Sequence, residues 1–179
     1  DVDLQQYHKR PVPVNAEETE PEQERTLPAE PVKDVGFVAV AAGDGLNQMF
    51  REIGVDTTVS GGQTMNPSTE DILNAVEATP ARTVFVLPNN KNIIMAAEQV
   101  DAISSKKVIV LPSRTLPQGI AAMLAYDPEA DINDNHLAMT KALDTVEAGQ
   151  VTFAARDSSL DGRNIREGQI LGMENGAIT

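Results

Sequence analysis

The sequence predicts an α/β fold: a parallel sheet of about five strands with helices on both faces and a short terminal hairpin. Three observations carry that prediction. Phe37-Val38-Ala39-Val40-Ala41 and Val108-Ile109-Val110-Leu111 are unbroken apolar runs, the pattern of parallel strands buried on both faces. Between such runs, apolar residues recur at helical spacing, as at Ile93, Ala96, Ala97, Val100 and Ile103. Polar loops follow the strands and precede the helices, which is how open α/β sheets place a binding surface at their carboxyl edge.

The elements follow in order. Residues 1–34 hold Pro11, Pro13, Pro21, Pro28 and Pro31, with an acidic run at Glu17, Glu18, Glu20, Glu22 and Glu24. Proline opposes helix and central strand, and like charges repel, so this stretch reads as a flexible linker. The other reading is an acidic docking arm. Residues 35–179 form the folded domain. Gly36–Ala42 is the first strand; Gly43-Asp44-Gly45 turns into a helix over Leu46–Ile53, with Gly54 as its stop. Val55–Val59 is the second strand. Pro67 and Ser68 open the next helix, and Ser68 with Asp71 three residues on forms a capping box with Asp in place of Glu. Thr83–Leu87 and Lys107–Leu111 are the third and fourth strands. A helix opens near Pro117, where the missing N–H costs nothing. Ile132, Met139, Leu143 and Val146 mark another helix, ended at Gly149. Val151–Ala155 is the expected fifth strand, and residues 168–178 read as a hairpin.

Composition bounds the function. The chain has 179 residues, 41% of them apolar, a net charge of −13 and a pI near 4.4. Such an acidic surface repels phosphate backbones and anionic lipid, which argues against nucleic-acid and membrane binding. There is no cysteine, hence neither a disulfide framework nor a thiolate metal site, in keeping with a cytoplasmic protein. No apolar run is long enough to span a bilayer, and no signal-peptide pattern opens the chain. The first residue is Asp1 rather than Met, which points to a piece of a longer polypeptide.

Catalytic motifs are weak. Gly43-Asp44-Gly45-Leu46-Asn47-Gln48 stands where a dinucleotide fingerprint would stand, but Gln48 replaces the third glycine and Asp44 would repel a pyrophosphate. A tight turn accounts for it better. There is no Walker-type Gly-Lys-Ser/Thr. His8 and His136 are far apart and have no ligand partner at helical spacing. Ser60, Thr64, Ser68, Ser113 and Ser158 lack a nucleophile elbow, and hydroxyls beside helix starts are usually caps. What remains is collective. Gln63, Thr64, Asn66 and Ser68 follow the second strand. Asn89, Asn90, Lys91 and Asn92 follow the third, Ser113 and Arg114 the fourth, and Arg156 the fifth. These residues either bind a polar or anionic group, or a partner protein, or they satisfy the helix starts and one another.

Several long motifs in fixed order carry a resemblance. They are Gly36-Phe37-Val38-Ala39-Val40, residues 60–69 (Ser-Gly-Gly-Gln-Thr-Met-Asn-Pro-Ser-Thr), residues 87–94 (Leu-Pro-Asn-Asn-Lys-Asn-Ile-Ile), residues 112–119 (Pro-Ser-Arg-Thr-Leu-Pro-Gln-Gly), Pro128-Glu129-Ala130-Asp131 and Ala155-Arg156-Asp157-Ser158-Ser159. From Gly36 to about Gly172 the chain resembles the carboxyl-terminal region of the bacterial fatty acid kinase A subunit, which is dihydroxyacetone-kinase-like. The resemblance implies a first lobe of a DegV-like region, without the kinase domain. It implies that the parent uses ATP and Mg to phosphorylate a fatty acid presented by a DegV-like B subunit, while this part holds no cofactor, metal or catalytic residue. In DegV-type proteins the loop resembling Gln63–Ser68 helps bind the fatty-acid carboxylate. The expected role is a non-catalytic scaffold that docks the B subunit. A small-ligand domain for a carboxylate or acyl phosphate, or a homodimerisation module, are the alternatives.

Overall fold

The computed structural model describes residues 27–61, 66–160, 163–174 and 177–178. The acidic stretch Glu17–Glu24 and the loop residues Gln63 and Thr64 lie outside them. Four strands form the parallel sheet: β1 (Lys33–Ala41), β2 (Thr57–Ser60), β3 (Ala81–Leu87) and β4 (Lys107–Val110), in the order β2-β1-β3-β4. Val38 pairs with Thr57 on one side and Val86 on the other, and Phe85 pairs with Ile109. The two central strands are apolar at nearly every position because both faces are covered.

Strand alternation divides the apolar side chains between two cores. Val38, Val40, Val84 and Val86 meet Ile72 and Val76 of α2 (Thr69–Ala78) and Ala97 and Val100 of α3 (Ile94–Val100). Phe37, Ala39, Phe85 and Leu87 face the other way. There they meet Phe50 of α1 (Asp44–Glu52), Ala122 and Met123 of α4 (Leu116–Leu124) and Met139 and Leu143 of α5 (Ile132–Asp144). Phe37 stacks on Phe85 with ring centroids 5.7 Å apart and takes the edge of Tyr126 at 4.8 Å.

Local chemistry sets the element ends. Gly54 adopts φ 103° just past α1, the left-handed geometry that stops a helix at low cost for glycine. Ser68 and Asp71 form the expected capping box: the Ser68 hydroxyl accepts from the Asp71 N–H at 3.1 Å, and the Asp71 carboxylate accepts from the Ser68 N–H at 2.8 Å. Thr115 caps α4, which carries Pro117 in its first turn. β1 begins at Lys33, ahead of the Gly36 start read from the apolar run. α3 stops at Val100, short of Ile103, because the Ile103 and Ser104 N–H groups turn back onto the Val100 carbonyl. α5 likewise ends before Val146.

The fifth strand is a correction. β5 (Gly149–Phe153) does not join the parallel sheet; it pairs antiparallel with β8 (Ile170–Glu174), which pairs with β9 (Ala177–Ile178). A second hairpin joins β6 (Ser158–Leu160) and β7 (Arg163–Ile165). The physical reason lies in the strand itself. Gly149-Gln150-Val151-Thr152-Phe153 alternates apolar with small or polar residues, the pattern of a strand with one apolar face. Val151 and Phe153 are 77% and 70% exposed, whereas the strands of the parallel sheet bury their runs. The β8–β9 pair is the hairpin expected at the end of the chain.

Candidate functional site: the carboxyl edge of the sheet

The chain winds outward from β1 to β2, then crosses back to β3 and on to β4. Loops after β1 and β3 therefore leave the sheet toward opposite faces, α1 packing on one core and α3 on the other. Such a switch point opens a crevice beyond the carboxyl ends of the two strands, where open α/β folds place ligands. Here a side chain fills it. Asn89, with φ 55°, is only 8% exposed. Its Nδ2 donates to the Val40 carbonyl at 3.0 Å, and its Oδ1 accepts from the Ser113 hydroxyl at 2.8 Å. Its backbone N–H donates to the Ser113 oxygen at 3.0 Å. Ser113 itself is fully buried. Gly119 on α4 makes room, since a Cβ there would lie 2.1 Å from Asn89 Oδ1. Asn89 and Ser113 thus act as a pin joining the end of β1 to the loops after β3 and β4, and their polar atoms face inward.

The exposed residues around this pin behave differently. Asn90 is half-buried, and its Oδ1 accepts from the Asn92 N–H at 2.9 Å, holding the turn into α3. Lys91 stands at the tip of that turn, exposed, and its ammonium makes no hydrogen bond or ion pair among the described residues. Arg114 is exposed on the neighbouring loop; its backbone N–H donates to Gln118 Oε1 at 2.7 Å, while its guanidinium has no partner among the described residues. Ser68 is spent on its cap, and Asn66 is exposed beside it. The arrangement offers two cations, unpaired among the described residues, beside amide groups on a rigid frame, which suits a carboxylate or phosphate group or an acidic partner surface. Arg156 follows β5 of the antiparallel sheet, so the parallel topology does not carry it to this edge.

Sequence reasoning passed over two polar networks at the opposite, amino end of the sheet. Glu77, 6% exposed, accepts from the Ser105 N–H at 2.7 Å, the Ser105 hydroxyl at 2.6 Å and the Ser104 hydroxyl at 2.8 Å. Lys106 donates to the carbonyls of Val76, Glu77 and Thr79 at the end of α2, where a cation favours the helix dipole. Burial pushes the Glu77 carboxyl up, but the bonds from Ser105 and Ser104 and the charge of Lys106 outweigh it and hold the group below its usual range. The second network is a groove of about 900 Å³ whose wall includes Lys33, Arg82 and Lys107. The signal for it was present in the sequence: each of these cations stands at the first or second residue of a strand. Among the described residues no cluster of three or more His, Asp or Glu could hold a metal, and no helix is long and apolar enough to cross a membrane.

Comparison with known proteins places these features in a family. Residues 36–179 match the family described as the carboxyl-terminal part of fatty acid kinase A-subunit-like proteins. Protein YloV of Bacillus subtilis is 41% identical over 177 residues, covering 99% of this chain and 32% of that protein. An uncharacterized protein of Staphylococcus haemolyticus is 39% identical over 165 residues, covering 92% of this chain and 29% of its own. One from Staphylococcus epidermidis is 41% identical over 145 residues, 81% and 26% respectively. The chain therefore spans about a third or less of the length of these relatives. With its match running across the sheet, the pinned carboxyl edge and the antiparallel strands, the chain belongs to the carboxyl-terminal family of fatty acid kinase A-subunit-like proteins.

Proposed function

We propose that this chain is a non-catalytic docking domain of a fatty acid kinase A subunit, and that its carboxyl edge receives the partner that presents the fatty acid. The observation that carries the reading is the pair Lys91 and Arg114, two exposed cations without partners among the described residues, on a frame that Asn89 and Ser113 hold rigid. On a chain with a net charge of −13, cations left unpaired on one rigid edge favour an acidic partner surface and speed its encounter. In this reading ATP and Mg belong to other parts of the longer protein, the partner is a DegV-like B subunit, and the setting is the cytoplasm. The catalytic groups, too, belong in this reading to other parts of the longer protein.

A calorimetric titration with a lipid-loaded B subunit tests this, run with the parent chain and with Lys91→Ala/Arg114→Ala. The reading expects measurable heat from the parent chain and an affinity weakened on the order of tenfold or more in the variant, since truncating rim charges lowers association. Undiminished binding by the variant removes the carboxyl edge from the interface. No heat from either chain overturns the docking role. A small-ligand role at the same edge predicts instead that a fatty acid or acyl phosphate raises the thermal midpoint, because a ligand that binds only the folded state stabilises it.

A further inference from the structure

The two sheets guard their edges differently. At the β4 edge of the parallel sheet the Leu111 N–H points inward, to the Val86 carbonyl at 2.9 Å, so by alternation Val108, Val110 and Pro112 point outward. The Val108 N–H is taken by the Asp101 carboxylate at 3.2 Å, and Pro112 brings no N–H. Such devices keep an edge from pairing with another strand. β5 lacks them. It is the outer strand of its sheet among the described residues, and Gly149-Gln150-Val151-Thr152-Phe153 holds neither proline nor charge. The Ala154 N–H donates to the Gln169 carbonyl at 2.9 Å, and the Ala154 carbonyl accepts from the Gly168 N–H at 2.8 Å. Ala154 therefore turns to β8, and by the alternation of an antiparallel ladder Gly149, Val151 and Phe153 turn their N–H and C=O groups to the open edge.

The side chains along this edge complement themselves. Gly149, Val151 and Phe153 share one face, with Glu174, Gly172 and Ile170 opposite them on β8. Val151, Phe153 and Ile170 are all exposed. A shallow cavity of about 430 Å³ opens over Gly149, Val151 and Gly172, with Glu147 and Glu174 in its wall. A Cβ at Gly149 would meet nothing within 4 Å. The strand thus presents a ring at Phe153 and a hollow at Gly149, with Val151 midway between them.

We propose that β5 pairs antiparallel with β5 of a second copy of this chain, about a two-fold axis at Val151. In this register Val151 faces its own counterpart, Gln150 faces Thr152, and the Phe153 ring of each copy lies over Gly149 of the other, as aromatic side chains cover cross-strand glycines. The outward backbone groups of Gly149, Val151 and Phe153 are then bonded across the axis. A two-fold contact needs one surface that fits itself, and a ring and a hollow equally far from Val151 meet that condition. The nearby acids do not oppose it. Glu147 and Glu174 meet a neutral ring, and the two Glu174 side chains are separated along the pairing by at least about 13 Å, beyond the screening length of about 8 Å at physiological salt. The contact is smaller than a standard interface, so the dimer is weak and reversible. It stands apart from whatever the carboxyl edge binds.

Sedimentation velocity of the full chain over about a hundredfold range of concentration tests this, because association follows mass action. The parent chain should pass from monomer towards dimer and no further. Added salt should tighten the dimer, since it screens the repulsion between two chains of net charge −13. Val151→Lys and Val151→Glu each set like charges opposite one another and should weaken association on the order of tenfold or more, while their equimolar mixture should recover it. That recovery also shows that both variants fold. At the higher concentration, hydrogen exchange at the Val151 and Phe153 amides should slow. A parent chain that stays monomeric throughout overturns the proposal and leaves β5 to a strand from outside this chain. So does a dimer that Val151→Lys does not weaken, or a mixture of the two variants that stays monomeric. So does a dimer whose Val151 and Phe153 amides exchange as in the monomer, the result expected if the apolar faces stack instead.

Discussion

Asn89 concentrates several tasks in one side chain. It satisfies the Val40 carbonyl, fixes the Ser113 hydroxyl and holds a positive φ that asparagine tolerates better than most residues. Asn89→Ala leaves the buried Val40 and Ser113 groups without their partner, so the chain should lose about 1–3 kcal/mol in urea unfolding. Gly119→Ala drives a methyl into the same amide and should cost a similar ~1–3 kcal/mol, the two effects falling short of additive because they strike one contact. Glu77 predicts a pH dependence. Its folded-state carboxyl sits below its usual range, so its contribution is present above the unfolded glutamate pKa and is lost as pH falls through the folded value. Thermal midpoints of Glu77→Gln should therefore lie well below the parent's at neutral pH and converge on it in acid. The sequence presented Asn89 as one of four loop residues; its burial was illegible because its partners Val40 and Ser113 stand 49 and 24 residues away. Lys91 and Arg114 were legible, since exposed cations on loop tips need no distant partner to be read.

Among the elements, those settled by local chemistry were the readable ones. The α2 start is an example, because the hydroxyl, the carboxylate and their spacing lie within four residues. Ser68→Ala should remove about 1 kcal/mol, measured as a lower urea midpoint. β5 was misplaced because a strand's propensity does not name its neighbour; pairing with β8 is decided by residues that follow it in the chain. Its alternation is the clue that separates it from the unbroken runs of β1 and β3. Val151, Phe153 and Ile170 leave apolar surface on this small sheet, with Phe153 directly opposite Ile170. Phe153→Thr should change stability by no more than about 0.5 kcal/mol, because the ring is mostly exposed already, while lowering the binding of an apolar dye. A larger loss would mean that the ring is covered in solution.

For the molecule as a whole, the two ends of the sheet have different chemistry. At the carboxyl end the polar groups of Asn89 and Ser113 turn inward and leave cations outside; at the amino end Glu77 and Lys106 are consumed by the ends of α2 and α3, and the groove opens on the other face of the sheet, over Phe37 and Met123. Fold class was readable because it follows from which residues are apolar. This division was not, because it follows from which polar residues meet. The Asn89 pin also has a consequence for time. Its side-chain hydrogen bonds join β1 to the loops after β3 and β4, so they can form only once these three strands are in register. Contacts of that separation are made late, after most of the chain entropy has been lost. In a denaturant chevron, Asn89→Ala should therefore leave the refolding limb nearly where it was and raise the unfolding limb. The pin acts as a latch: it contributes little to how quickly the native state is found and much to how long it lasts.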